Sequence, residues 1–172
     1  LTPGEKERID KKQTSNLTAY EYYLRGRDYY YRYRKEDNET AIALFRKALS
    51  LDPDYALAWA GLGDAYAMRV YLFNFPLSWY DSSIVASNRA IALDPGSAEA
   101  YKALGTSVMD LNVMKGLEAL KKAIELNPNY HPAIYNLGGL YLWTGELIES
   151  IKCFKKCLIL DPGFIDPYVN IG

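Results

Sequence analysis

Histidine is almost absent from this 172-residue chain: His131 is the only one, so a serine or cysteine triad would have to be built on it. It lies beside Pro132 at an expected helix start, with no nucleophile next to it, and is read as a structural or surface residue. Cysteine is scarce as well. Cys153 and Cys157 stand four apart on one expected helix; they define no disulfide framework and supply only two of the four ligands of a zinc site. Both are read as packing residues, and their small number favours a reducing, cytoplasmic compartment. No apolar run approaches the roughly 20 residues that span a bilayer, so no membrane association is expected. A glycine-rich phosphate loop, a His-Glu-x-x-His helix and a paired-carboxylate arrangement are all missing. The chain is therefore expected to be non-catalytic, with no metal and no cofactor.

Excess charge is missing too. Twenty lysines and arginines face 21 aspartates and glutamates, a balance that, with 49% hydrophobic residues, describes a globular chain rather than a disordered one. The balance is uneven along the sequence, since the first 35 residues carry nine basic and five acidic side chains. There Arg25, Arg27, Arg32, Arg34 and Lys35 alternate with tyrosines, the mixture of charge and rings that single-stranded nucleic acid uses. The net negative remainder argues against that partner, and a solvated helix face with tyrosines packed beneath is the preferred reading.

What is present is a repeated phrase, clearest over residues 131–164. Tyr135, Leu137, Gly138 and Tyr141 fall on one expected helix, Gly145 and Glu146 break it, and Ile151, Phe154, Leu158 and Leu160 follow at helical spacing until Asp161 and Pro162 stop the second. Ile134, Leu137-Gly138, Tyr141, Ser150, Phe154 and Pro162 stand at the spacing of a 34-residue helix-turn-helix pattern, and in this they resemble the tetratricopeptide repeat. Earlier stretches repeat the phrase: Trp59, Leu62-Gly63 and Tyr66; then Tyr101, Leu104-Gly105 and Val108, where valine replaces the preferred aromatic. Aspartate or asparagine precedes proline at 52–53, 94–95, 127–128 and 161–162, which ends each second helix because proline disfavours a helical residue before it. Gly63, Gly105 and Gly138 inside expected helices cost roughly 1 kcal/mol each relative to alanine, a cost tolerated where a neighbour must pack on the backbone.

The resemblance implies an all-α fold, a right-handed α-solenoid of antiparallel helix pairs, over residues 17–172. Residues 1–16 are expected to form a polar linker or short helix. An atypical first repeat of about 19–55 has a tyrosine-rich helix running to Arg34 and a lengthened turn through Lys35 to Asn38. The second, 56–97, carries an insertion near 69–80 that lengthens its first helix and folds back, with Pro76 starting the next. Repeats at 98–130 and 131–164 follow, and 165–172 opens a fifth. The chain starts at Leu1 without a methionine and stops just as a repeat begins, so both ends are expected to be cut from something longer.

In the resembled family the first helices line a concave groove. Helical spacing then points Tyr20, Tyr23, Arg27 and Tyr30 inward, with Asp64, with Lys102, Thr106 and Met109, and with Tyr135, Asn136 and Trp143; Asn170 takes the place of Asn136 on the next helix. Tyr23, Tyr30, Tyr135 and Trp143 are expected to be exposed, and Tyr22, Trp59, Tyr66, Tyr101 and Tyr141 to be core. Asn136 and Asn170 are read either as amides that hold a peptide backbone or as ordinary helix residues. Lys102 lacks an asparagine four residues on, where Thr106 stands, so a clamp for a free C-terminus is incomplete. The expected activity is docking of a protein or peptide ligand. Residues 17–27 also resemble the junction before repeat arrays in bacterial signalling and regulatory proteins. Two alternatives stay open: self-association as a homodimer through the tyrosine-rich helix and the insertion, and a regulatory arm of an enzyme, a nucleotide cyclase or kinase, whose catalytic domain lies outside the chain.

Overall fold

The structure, a computed structural model, describes residues 14–162. The expected helix within residues 1–16, the fifth repeat and Asn170 lie outside them. Eight α-helices follow one another without a strand among the described residues: α1 Leu17–Tyr30, α2 Lys35–Leu51, α3 Ala56–Tyr71, α4 Ser78–Leu93, α5 Ala98–Val108, α6 Val113–Leu126, α7 His131–Thr144 and α8 Leu147–Leu160. They form four antiparallel pairs. Each second helix packs on its own first helix, and α2, α4 and α6 pack also on the next pair's first helix, while the first helices α1, α3, α5 and α7 also touch in succession. The result is the expected all-helical solenoid.

Local chemistry sets the boundaries. The side chains of Asn16, Ser97 and Asn112 accept from the amides of Ala19, Ala100 and Lys115 at 3.0, 3.1 and 3.0 Å, capping α1, α5 and α6. Asp52, Asp94, Asn127 and Asp161 follow α2, α4, α6 and α8 with φ between −138° and −143° and ψ near 90°, the extended conformation that a following proline imposes. Gly145 ends α7 with φ 85°, where a side chain would be strained.

Three boundaries differ from the sequence reading. α1 stops at Tyr30 rather than Arg34, because the chain reverses through Tyr33 at φ 53°. Lys35 to Asn38 are the first turn of α2 rather than a lengthened turn. Glu36 and Asp37 there suit the positive end of the helix, Arg34 pairs with Asp37 at 2.5 Å, and buried Asn38 donates to the carbonyl of Ala65 at 3.0 Å. At the insertion α3 extends to Tyr71, and the chain folds back through Asn74 at φ 55° and a bond from the Phe75 amide to the Arg69 carbonyl at 2.9 Å, but α4 starts at Ser78 rather than at Pro76. The Arg69 guanidinium lies 4.7 Å from the Phe75 ring centre and 4.5 Å from that of Trp79, so the apolar insertion is folded around a cation.

The glycines inside first helices mark where paired helices come closest. A Cβ on Gly105 would stand 2.7 Å from Leu120, and one on Gly138 would stand 2.9 Å from Phe154. The largest cluster of buried residues, around Tyr23, Phe45, Tyr55, Leu62 and Tyr66, lies in the first two pairs.

Candidate interaction surface

The face shared by the first helices is concave, because side chains two pairs apart meet across it. The Lys102 ammonium on α5 lies 5.6 Å from the ring centre of Tyr30 on α1 and donates to Asp64 Oδ2 on α3 at 2.7 Å. Tyr23, Arg27, Tyr30, Tyr31, Asp64 and Tyr130 line a shared space of only about 50 Å³. Helical spacing puts Tyr23, Arg27, Tyr30, Asp64 and Lys102 on one face, and the structure brings them together. It leaves only Arg27 exposed. Tyr23 and Tyr30 are 5% and 8% exposed, which corrects the expectation that they are exposed: each ring finds an internal partner, Tyr55 at 5.1 Å for Tyr23 and the Lys102 ammonium for Tyr30. Asp64, Lys102 and Thr106 are buried as well.

Burial sets the electrostatics of this closed part. The phenols of Tyr23, Tyr30 and Tyr130 are pushed above their ordinary pKa by loss of water, so all three stay neutral. Burial also raises the Asp64 carboxyl, and the ammonium of Lys102 only partly offsets it. Arg27 lies 5.8 and 5.6 Å from the ring centres of Tyr23 and Tyr31. The cation and the tyrosines thus serve each other.

At the other end the face opens. On α7, Trp143 is 62% and Leu142 54% exposed, as expected for Trp143. A Cβ on Gly139 would meet nothing within 4 Å. Asn136, half-buried, donates from Nδ2 to Thr106 Oγ1 at 2.8 Å, so its amide ties α7 to α5. Tyr135 is half-buried against Phe154 at 5.6 Å, less open than expected. Met109 is half-buried at the C-cap of α5 and packs where Gly116 leaves room, with an added Cβ there 2.7 Å from Met109 Cβ. Tyr20 stays 44% exposed at the start of α1. Among the residues expected to be core, Tyr66 is buried, while Tyr22, Trp59, Tyr101 and Tyr141 are half-buried.

The thiols fit packing roles. Burial raises Cys153 and pushes Cys157 up to about 11, leaving little thiolate at neutral pH. Among the described residues no group of three or more His, Cys, Asp or Glu side chains could hold a metal, and no helix is long and apolar enough to cross a membrane. Spacing missed Tyr31, Glu99 and Tyr130, which lie in turns or on a flank and join the closed cluster only through the curvature of the stack.

The tetratricopeptide repeat family matches this chain twice, as "TPR repeat" over residues 30–69 and as "Tetratricopeptide repeat" over residues 131–164. The crystal structure of MamA is similar over 76% of this chain and 72% of that one, at 32% identity and a TM-score of 0.54. The chain belongs to the tetratricopeptide repeat family. Its fold also matches TTC0263, a thermophilic TPR protein of Thermus thermophilus, at a TM-score of 0.66 and 20% identity, over 84% of this chain and 75% of that one. Among curated proteins, the transcriptional regulator HilA of Salmonella typhimurium is 25% identical over 90% of this TPR chain and 29% of its own length. The chain spans between 10% and 29% of the length of such relatives as the Arabidopsis thaliana CTR9 homolog and HilA. Tetratricopeptide repeats act as protein interaction modules, and that general role is the one the family gives this chain.

Proposed function

We propose that this chain is a non-catalytic docking module within a larger regulatory protein of bacterial type, and that it binds an extended peptide or partner helix at the α7 end of its concave face. Its four helix pairs correspond to repeats at about 19–55, 56–97, 98–130 and 131–164. The observation that carries the reading is the pairing of Leu142 and Trp143, both more than half exposed, with the open space over Gly139 on the face that also holds Asn136. Tryptophan offers a large contact area with few rotors to freeze, and an uncrowded glycine lets a ligand backbone come close. The closed part around Tyr23, Tyr30, Asp64 and Lys102 then acts as a rigid wall rather than as a contact surface. A regulatory context is supported by the likeness to HilA, whose name is that of a transcriptional regulator.

The test is a peptide-library selection against the chain, followed by affinity measurements on wild type and on Asn136→Ala with Trp143→Ala. A loss of at least about tenfold with a melting temperature changed by only a few degrees is expected, as for a truncated aromatic anchor. Unchanged affinity, or a double variant that unfolds, contradicts the reading.

A second reading rests on α8. Leu147, Ile148, Ile151, Leu158 and Ile159 are each more than half exposed and form one apolar stripe on the last described second helix, a kind of helix that in the earlier pairs also packs on the next pair's first helix; this reading assigns the stripe to a second copy of the chain. This relocates self-association away from the tyrosine-rich helix and the insertion, whose rings are largely engaged within the fold. Concentration-dependent mass that disappears in Ile148→Lys/Ile159→Lys would support it, and a monomer at all concentrations would remove it.

A further inference from the structure

The solenoid has three junctions between consecutive pairs, and their outer sides are built differently. At the first, Tyr66 of α3 fills the space between the second helices α2 and α4. Its hydroxyl accepts from Arg46 of α2 at 2.8 Å and its ring meets Trp79 of α4 at 5.2 Å. At the third, Tyr141 of α7 occupies the corresponding position, with the Lys121 ammonium of α6 5.7 Å from its ring centre. Arg46 and Lys121 each follow the residue that packs on a first-helix glycine, Phe45 on Gly26 and Leu120 on Gly105. Both junctions therefore combine a ring with a cation.

The middle junction has neither at the corresponding positions. Val108 stands where the other two carry tyrosine, and Asn88 follows Ser87, the residue against Gly63, where the others carry arginine and lysine. In place of the plug is an open groove of about 850 Å³ between α4 and α6, floored by Ile84, Tyr101, Leu104 and Val108. That volume lies within the ordinary range for a binding pocket. Its α6 edge carries Lys115, Lys121 and Lys122 against Glu118 and Glu125. Lys122 already pairs with Glu125 at 2.8 Å, while Lys115 makes no ion pair among the described residues. The α4 wall contributes only the neutral Asn88 to the polar rim.

We propose that this outer groove is a docking site for a partner segment that inserts an aromatic side chain and carries a carboxylate beside it. The ring replaces the tyrosine that the middle junction lacks, stacking over Leu104 and Val108, and the carboxylate meets Lys115. The site is separate from the α7 surface, on the opposite side of the stack, so the two can be tested independently.

The probe is a blocked seven-residue peptide with a central Glu-Tyr-Glu, titrated against the full chain while the methyl NMR signals of Ile84, Leu104 and Val108 are followed. Saturable shifts at those methyls are expected, weakened about tenfold when alanine replaces the tyrosine and several-fold when lysines replace the glutamates, as for loss of an aromatic anchor and of its charge partner. Val108→Tyr with Asn88→Arg rebuilds the ring and cation in cis; it should abolish binding and raise the melting temperature, whereas Trp143→Ala should leave binding unchanged. Should the rebuilt variant not fold, Lys115→Glu on the exposed edge should weaken the glutamate peptide by several-fold. The proposal is overturned if these methyls do not shift at millimolar peptide, if the alanine peptide binds equally well, or if neither the rebuilt groove nor Lys115→Glu changes affinity.

Discussion

The first and last pairs of this solenoid place residues on the concave face in the same way, yet α1 shuts that face and α7 leaves it open. α1 presents Tyr23, Arg27 and Tyr30 toward Asp64 and Lys102; the Lys102 ammonium engages both Asp64 Oδ2 and the Tyr30 ring, and about 50 Å³ is left among these side chains. α7 presents Asn136, Gly139 and Trp143, of which the glycine meets nothing and the tryptophan is mostly in solvent. The difference lies in side-chain size and complementarity rather than in the helices themselves. A repeat scaffold can therefore be closed for stability at one end and left available for a partner at the other.

The largest test of that contrast compares two phenylalanines at corresponding places. Phe45 is 1% exposed and fills the space against Gly26, while Phe154 is half-buried against Gly138. Phe45→Ala should cost about 3–5 kcal/mol, and Phe154→Ala clearly less, in urea unfolding followed by circular dichroism. Nearly equal costs would mean that the last pair is packed as tightly as the first. Of similar size is the buried ion pair. Asp64→Ala should cost about 3–5 kcal/mol because it strands Lys102, and Asp64→Leu with Lys102→Met should recover most of the loss. A tolerated single variant would show that water reaches the closed wall.

Two glycines give a change of sign. Gly105→Ala should destabilise by about 1–3 kcal/mol, since its Cβ would lie 2.7 Å from a fully buried Leu120 and crowding outweighs the helix propensity gained. Gly139→Ala, with open space around it, should instead stabilise by up to about 1 kcal/mol. Melting temperatures that fall for the first and rise for the second would confirm that the α7 face is free.

The smallest effect is in pH. Burial lowers the pKa of His131 below its ordinary 6.5, with Asp161 only partly opposing it. The unfolded chain then binds more protons than the folded one between the folded pKa and 6.5, so this contribution is present above 6.5 and is lost as pH falls through that window. The melting temperature should decline slightly over that range in wild type and less in His131→Asn, measured side by side.

Most of the fold was legible because the determinants are local and recur. Leu-Gly phrases, small residues on second helices and Asp-Pro stops each have one physical meaning, and the structure uses them as expected, including the close contacts at Gly105 and Gly138. The end of α1 was missed because nothing at Tyr33 signals a left-handed residue. For the surface, helical projection identified the face but not its state. Whether Tyr23 faces solvent depends on Tyr55, and whether Tyr30 does depends on Lys102 two helix pairs away, contacts set by superhelical curvature that no single helix encodes. The open groove at the middle junction had a visible sign in Val108, whose importance emerges only beside Tyr66 and Tyr141.

The most direct measurement is amide hydrogen exchange across the whole chain, with and without a peptide obtained by selection. The account predicts added protection concentrated in α7, around residues 135–143, with the exchange of α1 unchanged because its inner face is already filled. Protection confined to α1, with α7 unaffected, would contradict it and would mean that the tyrosine cluster opens to receive the ligand.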